Sequence, residues 1–224
     1  NPNYNFVAIS DFGSPETLQY LLARDSIHGA MEDPVELDGN YLIVKDQRVR
    51  VISGGEPGTI PWDALQADVV VDATGRFLTR EKLALHLESG AKRVLLTRNP
   101  KNEIDRYVIP GINESSISFS DKIISTTSST TQVLALMVKM LDETFGLKRA
   151  MMTTVHAYTA DQPLADVAGA DLRRSRSAVE NIIPNTTKSP DLVQKIMPQY
   201  KGKIEGIAFN VPVPNGSCVD LTTE

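Results

Sequence analysis

Apolar positions in the first half of the chain fall into two alternating patterns. Dense apolar runs at residues 5–11, 67–73, 93–97 and 122–125 have the length and β-branched content of strands, and the run at 67–73 predicts one buried on both faces. Between them lie stretches with apolar residues near the 3.6 period. Ser14-Pro15-Glu16 opens one with a cap and a first-turn proline, continued by Leu18, Leu21 and Leu22. Residues 79–89 form a second, and Pro61 begins a short third through Leu65. Residues 41–44 and 48–52 predict a hairpin around Asp46-Gln47. Strands alternating with helices predict α/β architecture, a mostly parallel sheet covered by helices.

The pattern changes after residue 125. Residues 130–145 predict the clearest helix, with Val133, Leu134, Met137, Leu141 and Phe145 along one stripe. Three strand-like stretches follow, at 150–157, 204–213 and 217–223, separated by long polar connections. They predict an antiparallel sheet in a second, α+β domain. The expected division is a first domain over 1–128 and a second over 129–224. The chain opens just before a strand and stops inside another, so both domains are expected to be incomplete.

Composition narrows the function classes. The 224 residues are 41% hydrophobic and 23% charged, an ordinary globular balance. A net charge of −5 leaves no electrostatic footprint for nucleic acid. No apolar run approaches the roughly 20 residues of a membrane-spanning helix. Cys218 is the single cysteine, which excludes an internal disulfide and a cysteine metal cluster and fits a cytoplasmic location. It is expected to be a buried packing thiol, and Met137, Met140, Met151 and Met152 are expected to fill core. His28 and His86 show no metal-ligand spacing, so no metal is expected. Arg173, Arg174 and Arg176 read as a solvated basic face.

The chemistry-bearing residues concentrate in two stretches, Ser125-Thr126-Thr127-Ser128-Ser129-Thr130-Thr131-Gln132 and Thr153-Thr154-Val155-His156-Ala157-Tyr158-Thr159. The first runs hydroxyls into a helix start, where free N–H groups favour an anion. Asp11 ends a strand, where a dinucleotide fold keeps its ribose-binding acid, although a strand-end aspartate is commonly a turn or cap residue. No G-x-G-x-x-G turn occurs in the chain.

These stretches resemble the phosphorylating glyceraldehyde-3-phosphate dehydrogenase family, which reads S-N-A-S-C-T-T-N and T-T-V-H-A-Y-T at the two places. Asp25-Ser26-Ile27-His28-Gly29, Asp72-Ala73-Thr74-Gly75-Arg76-Phe77, Gly90-Ala91-Lys92-Arg93-Val94-Leu95 and Gly111-Ile112-Asn113-Glu114 extend the resemblance over essentially the whole chain. It implies a Rossmann-like domain whose first strand, glycine turn and helix precede Asn1, and a catalytic domain continuing beyond Glu224. It implies NAD as cofactor, lined by Asp11, Thr74, Gly75 and Thr97, with Arg98 standing where a small residue is usual. A chain ending at both visible termini is expected to lack useful dinucleotide affinity. The resemblance also implies a homo-oligomer, the family tetramer, or a subunit of a larger assembly, and places the Arg173–Arg176 loop at a subunit contact.

For catalysis, the resemblance puts Ser129 where the family has its nucleophilic cysteine and makes His156 the base. Ser128, Thr130, Thr159, Asp161 and Thr187 take substrate or phosphate positions. Asn210 stands in place of an arginine, Lys188 in place of a glycine, and Gln132 in place of an asparagine. The expectation is a homologue impaired in oxidoreductase catalysis that acts as a binding or structural subunit. The alternatives are an active or altered-mechanism dehydrogenase of the same family, or a fragment of a working one.

Overall fold

The computed structural model describes residues 4–224. The chain forms two compact units, one reaching to Arg106 and including Ser118–Ser125, the other made of Tyr107–Ile117 and Thr126–Glu224. The stretch Tyr107–Ile117 thus belongs to the second unit although it precedes the last strand of the first.

The first unit begins with β1 (Ala8–Asp11), α1 (Pro15–Ala23), and a short ribbon of β2 (Arg24–Asp25) and β3 (Gly29–Ala30). Next come β4 (Glu36–Asp38), β5 (Tyr41–Val44) and β6 (Gln47–Ser53). β1 pairs parallel to β6, and the first sheet runs β1-β6-β5-β4. Ser14 caps α1, its hydroxyl accepting from the Thr17 N–H at 3.2 Å, with Pro15 in the first turn. The hairpin forms as expected, but its two-residue turn is Lys45-Asp46, with Lys45 at φ +53°. Residues 61–65 form a turn, not the expected helix. Its bonds, such as Trp62 N–H to Ile60 O and Ala67 N–H to Trp62 O, do not build a helical ladder.

β7 (Val69–Asp72), α2 (Arg80–Glu88), β8 (Arg93–Leu96), β9 (Arg106–Tyr107) and β10 (Ile123–Ser125) form the second sheet, ordered β7-β8-β10-β9, with β7, β8 and β10 parallel. β7 corrects an expectation. Val70 and Asp72 are buried, whereas Val69 and Val71 are 53% and 56% exposed, so the strand is covered on one face only. Gly90 closes the turn after α2 at φ +107°, where a Cβ would lie 2.6 Å from the Asp63 backbone nitrogen, so only glycine fits. Asp72, His86 and Trp62 meet in the core of this unit: Trp62 Nε1 donates to His86 Nδ1 at 3.0 Å, and His86 Nε2 lies 3.6 Å from Asp72 Oδ2.

The second unit is built on α3 (Ser129–Phe145), β11 (Ala150–Ala157), β12 (Ile183–Asn185), α4 (Ser189–Ile196), β13 (Ile204–Val211) and β14 (Ser217–Thr223). Its sheet runs β12-β13-β11-β14 and is mixed, not purely antiparallel: β11 lies parallel to β13 and antiparallel to β14. The connection through β12 and α4, which the sequence pattern did not predict, carries the chain back for a parallel return. Leu134, Ala135, Val138, Met152, Val193 and Tyr200 form its core. The buried face of α3 is therefore rotated from the expected stripe, leaving Val133 at 43% and Phe145 at 81% exposure. Of the four methionines expected in the core, Met152 is buried, while Met140 and Met151 are exposed. Cys218 is exposed as well, because β14 is an edge strand with little packed over it.

Candidate active site

The second unit holds two clusters of polar side chains that include residues singled out from the sequence. The first surrounds the start of α3. Ser128 is the N-cap, its Oγ accepting from the Thr131 N–H at 3.3 Å and lying 2.8 Å from Thr131 Oγ1. Thr131 Oγ1 donates to Ser189 Oγ at 3.0 Å, and Thr187 Oγ1 donates to the same atom at 3.2 Å. Thr131 and Ser189 are fully buried, so this chain of hydroxyls is one satisfied network joining the first turns of α3 and α4. It brings together Ser128 and Thr187, expected at substrate positions. Ser189 was not singled out from the sequence, and Thr131 was expected only to supply an N–H at the helix start, because a buried role for a hydroxyl in a Ser/Thr-rich stretch has no local signal.

Ser129, the first residue of α3, is exposed, and its hydroxyl makes no hydrogen bond to His156 among the described residues. Thr127, two residues earlier, is buried at φ +64°, a conformation costly for a β-branched residue. Ser129 and Thr130 open the first turn of α3. Gln132 reaches back over the same turn, its Nε2 donating to Thr126 O at 2.8 Å. A 17-residue helix directs the positive end of its dipole here, so the site favours an anion over a cation.

The second cluster centres on His156 at the end of β11. Its Nδ1 lies 2.8 Å from Ala157 O, and a carbonyl only accepts, so Nδ1 carries the proton. The neutral ring then leaves the lone pair on Nε2, the arrangement a general base needs. Asn210 is the parallel partner of His156 in register and is buried. Its Nδ2 donates to the same Ala157 O at 3.2 Å, and its Oδ1 accepts from Asn185 Nδ2 at 3.1 Å. Asn185 was not expected at the site. No sequence signal marked it, because β12 was not predicted and its amide partner lies 25 residues away. Thr159 and Asp161 follow in the loop after β11, where the Thr159 N–H donates to Gln162 Oε1 at 3.2 Å. Lys188 is exposed at the N-cap of α4 and makes no side-chain cap bond.

The residues expected at the dinucleotide lie in the first unit, at the C-terminal ends of parallel strands, where such folds bind ligands. Asp11 ends β1, and its Oδ1 accepts from the Gly13 N–H at 2.8 Å. Thr74 and Thr97 both bond to Asp72: Thr74 Oγ1 donates to Asp72 Oδ1 at 2.8 Å, and Thr97 Oγ1 to Asp72 O at 3.3 Å. Gly75, at φ +70°, lies against Arg98, whose Nη1 is 2.5 Å from where a Cβ would stand. Arg76 stacks over the Phe12 ring at 4.0 Å. The Asp11 carboxylate is exposed at the end of β1, and the Arg98 side chain occupies the space beside the Gly75 backbone.

Parallel-stranded α/β sheets with an acid at a strand end, joined in sequence to a mixed sheet carrying a hydroxyl-capped helix and a strand-end histidine, define a dinucleotide-linked two-domain class. The family model for the NAD-binding domain of glyceraldehyde 3-phosphate dehydrogenase matches residues 1–80, and the model for its C-terminal domain matches residues 128–224. Glyceraldehyde-3-phosphate dehydrogenase of Geobacillus stearothermophilus is 43% identical over 225 residues, covering all of this chain and 67% of the relative. Glyceraldehyde-3-phosphate dehydrogenase 2 of Bacillus subtilis is 43% identical over 97% of the chain and 64% of its own length. The chloroplastic enzyme GAPA1 of Arabidopsis thaliana is 41% identical over 98% of the chain and 56% of its own length. The chain belongs to the glyceraldehyde-3-phosphate dehydrogenase family. It spans about two thirds of the length of these bacterial relatives. No described helix is long and apolar enough to cross a membrane, and no described group of side chains could hold a metal ion.

Proposed function

We propose that this chain is a glyceraldehyde-3-phosphate dehydrogenase homologue that keeps the family's binding scaffold and has lost its thiol-dependent oxidoreductase step. The observation that carries the reading is Ser129 at the first turn of α3, exposed and without a hydrogen bond to His156. A thiol with an ordinary pKa of about 8.5 becomes a thiolate readily at a helix N-terminus, whereas a serine hydroxyl needs a base in direct contact. The only cysteine, Cys218, sits on the edge strand β14 in register with Val155 and does not stand at this turn.

Charge at the site is reduced as well. Asn210 is neutral and spends its amide on Asn185 and Ala157, and Lys188, next to Thr187 and Ser189 in the chain, is a cation beside the hydroxyl network. Ser128, Thr130, Thr159, Asp161 and Thr187 stand at the family's substrate or phosphate positions, and such groups grip phosphate more weakly than a bidentate guanidinium does. Asp11 would hold the adenosine ribose of NAD, with Thr74, Gly75 and Thr97 lining the strand ends beside it. When bound, NAD accepts a hydride. Self-association, by resemblance to the family tetramer, and a cytoplasmic location complete the reading. Titration calorimetry of the full-length protein tests it: saturable NAD binding supports a binding subunit, and no detectable heat with NAD refutes it.

A second reading is favoured by one observation, the Nδ1–H to Ala157 O bond that leaves His156 Nε2 as an acceptor. Here the chain retains an altered hydrolytic or oxidative mechanism with His156 as base. It predicts release of nitrophenol from its acetate ester above the rate of a His156→Ala variant. Equal rates for the two proteins remove it.

A further inference from the structure

Asn185 and Asn210 form a relay that ends on the histidine. The Thr186 N–H donates to Asn185 Oδ1 at 2.9 Å, Asn185 Nδ2 donates to Asn210 Oδ1 at 3.1 Å, and Asn210 Nδ2 donates to Ala157 O at 3.2 Å. His156 Nδ1 donates to that same carbonyl at 2.8 Å. The direction of every bond is fixed from its ends. A backbone N–H can only donate and a carbonyl can only accept, so each amide has one orientation that satisfies the relay.

The shared carbonyl lies where β11 ends. The Ala157 N–H is taken by Gly216 O at 3.2 Å, and the Tyr158 N–H by Val213 O at 3.2 Å. The carbonyl of Ala157 is claimed by side chains, those of His156 and Asn210. Asn210 lies opposite His156 in the neighbouring strand β13, and Asn185 lies in β12, the next strand beyond it. Asn210 is 8% exposed, so an amide that let go of the carbonyl would be left buried and unpaired.

We propose that Asn210, oriented by Asn185, is a positioning residue: it fixes the Ala157 carbonyl and thereby holds His156 as the Nδ1–H tautomer with Nε2 presented as a base. The inference rests on the reading of His156 as the base of this site and deepens it. A buried neutral amide at position 210 contributes no charge for an anion; its work is to orient the imidazole.

Long-range proton–nitrogen correlation spectra of ¹⁵N-histidine-labelled full-length protein test this at about pH 9, above the ordinary imidazole range. Wild type is expected to show the Nδ1–H tautomer of His156 as the dominant form. Asn210→Ala is expected to lower the Nδ1–H to Nε2–H ratio roughly two- to tenfold, the equilibrium effect of one neutral hydrogen bond. Asn210→Asp keeps the shape, cannot donate, and is expected to do the same; Asn185→Ala is expected to fall between. Backbone amide spectra establish which variants are folded. An unchanged ratio in the folded Asn210 variants overturns the proposal, as does a wild-type ring in the Nε2–H form. Absence of NAD binding or of ester hydrolysis refutes the functional readings above and leaves the tautomer result standing, so the two failures are distinguishable.

Discussion

Tyr200→Phe provides a quantitative test of how the second unit is held together. Tyr200 is 3% exposed within the main core of that unit, and its hydroxyl donates to Asp142 Oδ2 at 2.8 Å near the C-terminal end of α3. Burial, together with the bond to the Asp142 carboxylate, pushes the phenol from its ordinary 10.0 up to about 12. That gap corresponds to ~2.7 kcal/mol, an order-of-magnitude figure. The folded state binds the phenolic proton more tightly than the unfolded chain does. This stabilisation is therefore complete below about pH 10 and is lost as pH rises toward about 12. Phenylalanine keeps the ring and removes the donor, and Asp142 Oδ1 still accepts from the Leu147 N–H. The variant is expected to be less stable than wild type by roughly 1.5–3 kcal/mol at neutral pH, the cost of a hydrogen bond to a charged group. The difference should shrink by ~1.4 kcal/mol by about pH 11, as one pH unit is worth that much. Urea unfolding of both proteins at stepped pH measures it. A difference that stays constant from about pH 8 to 11 would refute the reasoning, as would a phenolate of Tyr200 forming at the ordinary midpoint.

Ser128→Ala removes the N-cap of α3 and one member of the hydroxyl chain, and is expected to cost about 1–2 kcal/mol in urea unfolding. Gly90→Ala forces a Cβ onto the Asp63 backbone and is expected to lower the thermal midpoint clearly, whereas alanine at Gly39, with nothing within 4 Å, pays only for its φ of +56°. At Asp72, burial raises the carboxyl, but Thr74 hydrogen bonds and the His86 imidazole outweigh it and leave the carboxyl below its ordinary range. His86 Nδ1 accepts from Trp62, so the ring proton sits on Nε2, which faces Asp72 Oδ2 at 3.6 Å, longer than an ordinary hydrogen bond. The stabilisation is present above about pH 4 and is lost as pH falls through the lower folded value, so acid unfolding of Asp72→Asn should show a flatter pH slope than wild type.

Much of the fold was legible because strand density and helical period are local signals. β1, β8, β10, α1 and α2 follow from apolar spacing, and α1 also from its cap at Ser14. The misreadings share one physical cause, the dependence of burial on tertiary neighbours. Val69 and Val71 look like core by composition, yet one face of β7 is open. The α3 stripe was displaced because Thr131, a polar residue, faces inward to meet Ser189, and carries Leu134, Ala135 and Val138 with it. Parallel pairing of β11 with β13 has no signature in either strand, since register and direction are decided by the intervening β12 and α4. At the site, His156, Ser128 and Thr187 were visible as motif residues. Asn185 and Ser189 were not, because their role arises only when residues distant in sequence are brought to one carbonyl or one hydroxyl.

The central claim is that the family's oxidoreductase step is lost at residue 129 while the scaffold persists. Aldehyde-dependent reduction of NAD, followed by absorbance with the full-length protein at high concentration and with phosphate present, tests it most directly. The account predicts a flat trace for wild type. Turnover by the wild type that His156→Ala abolishes would contradict it.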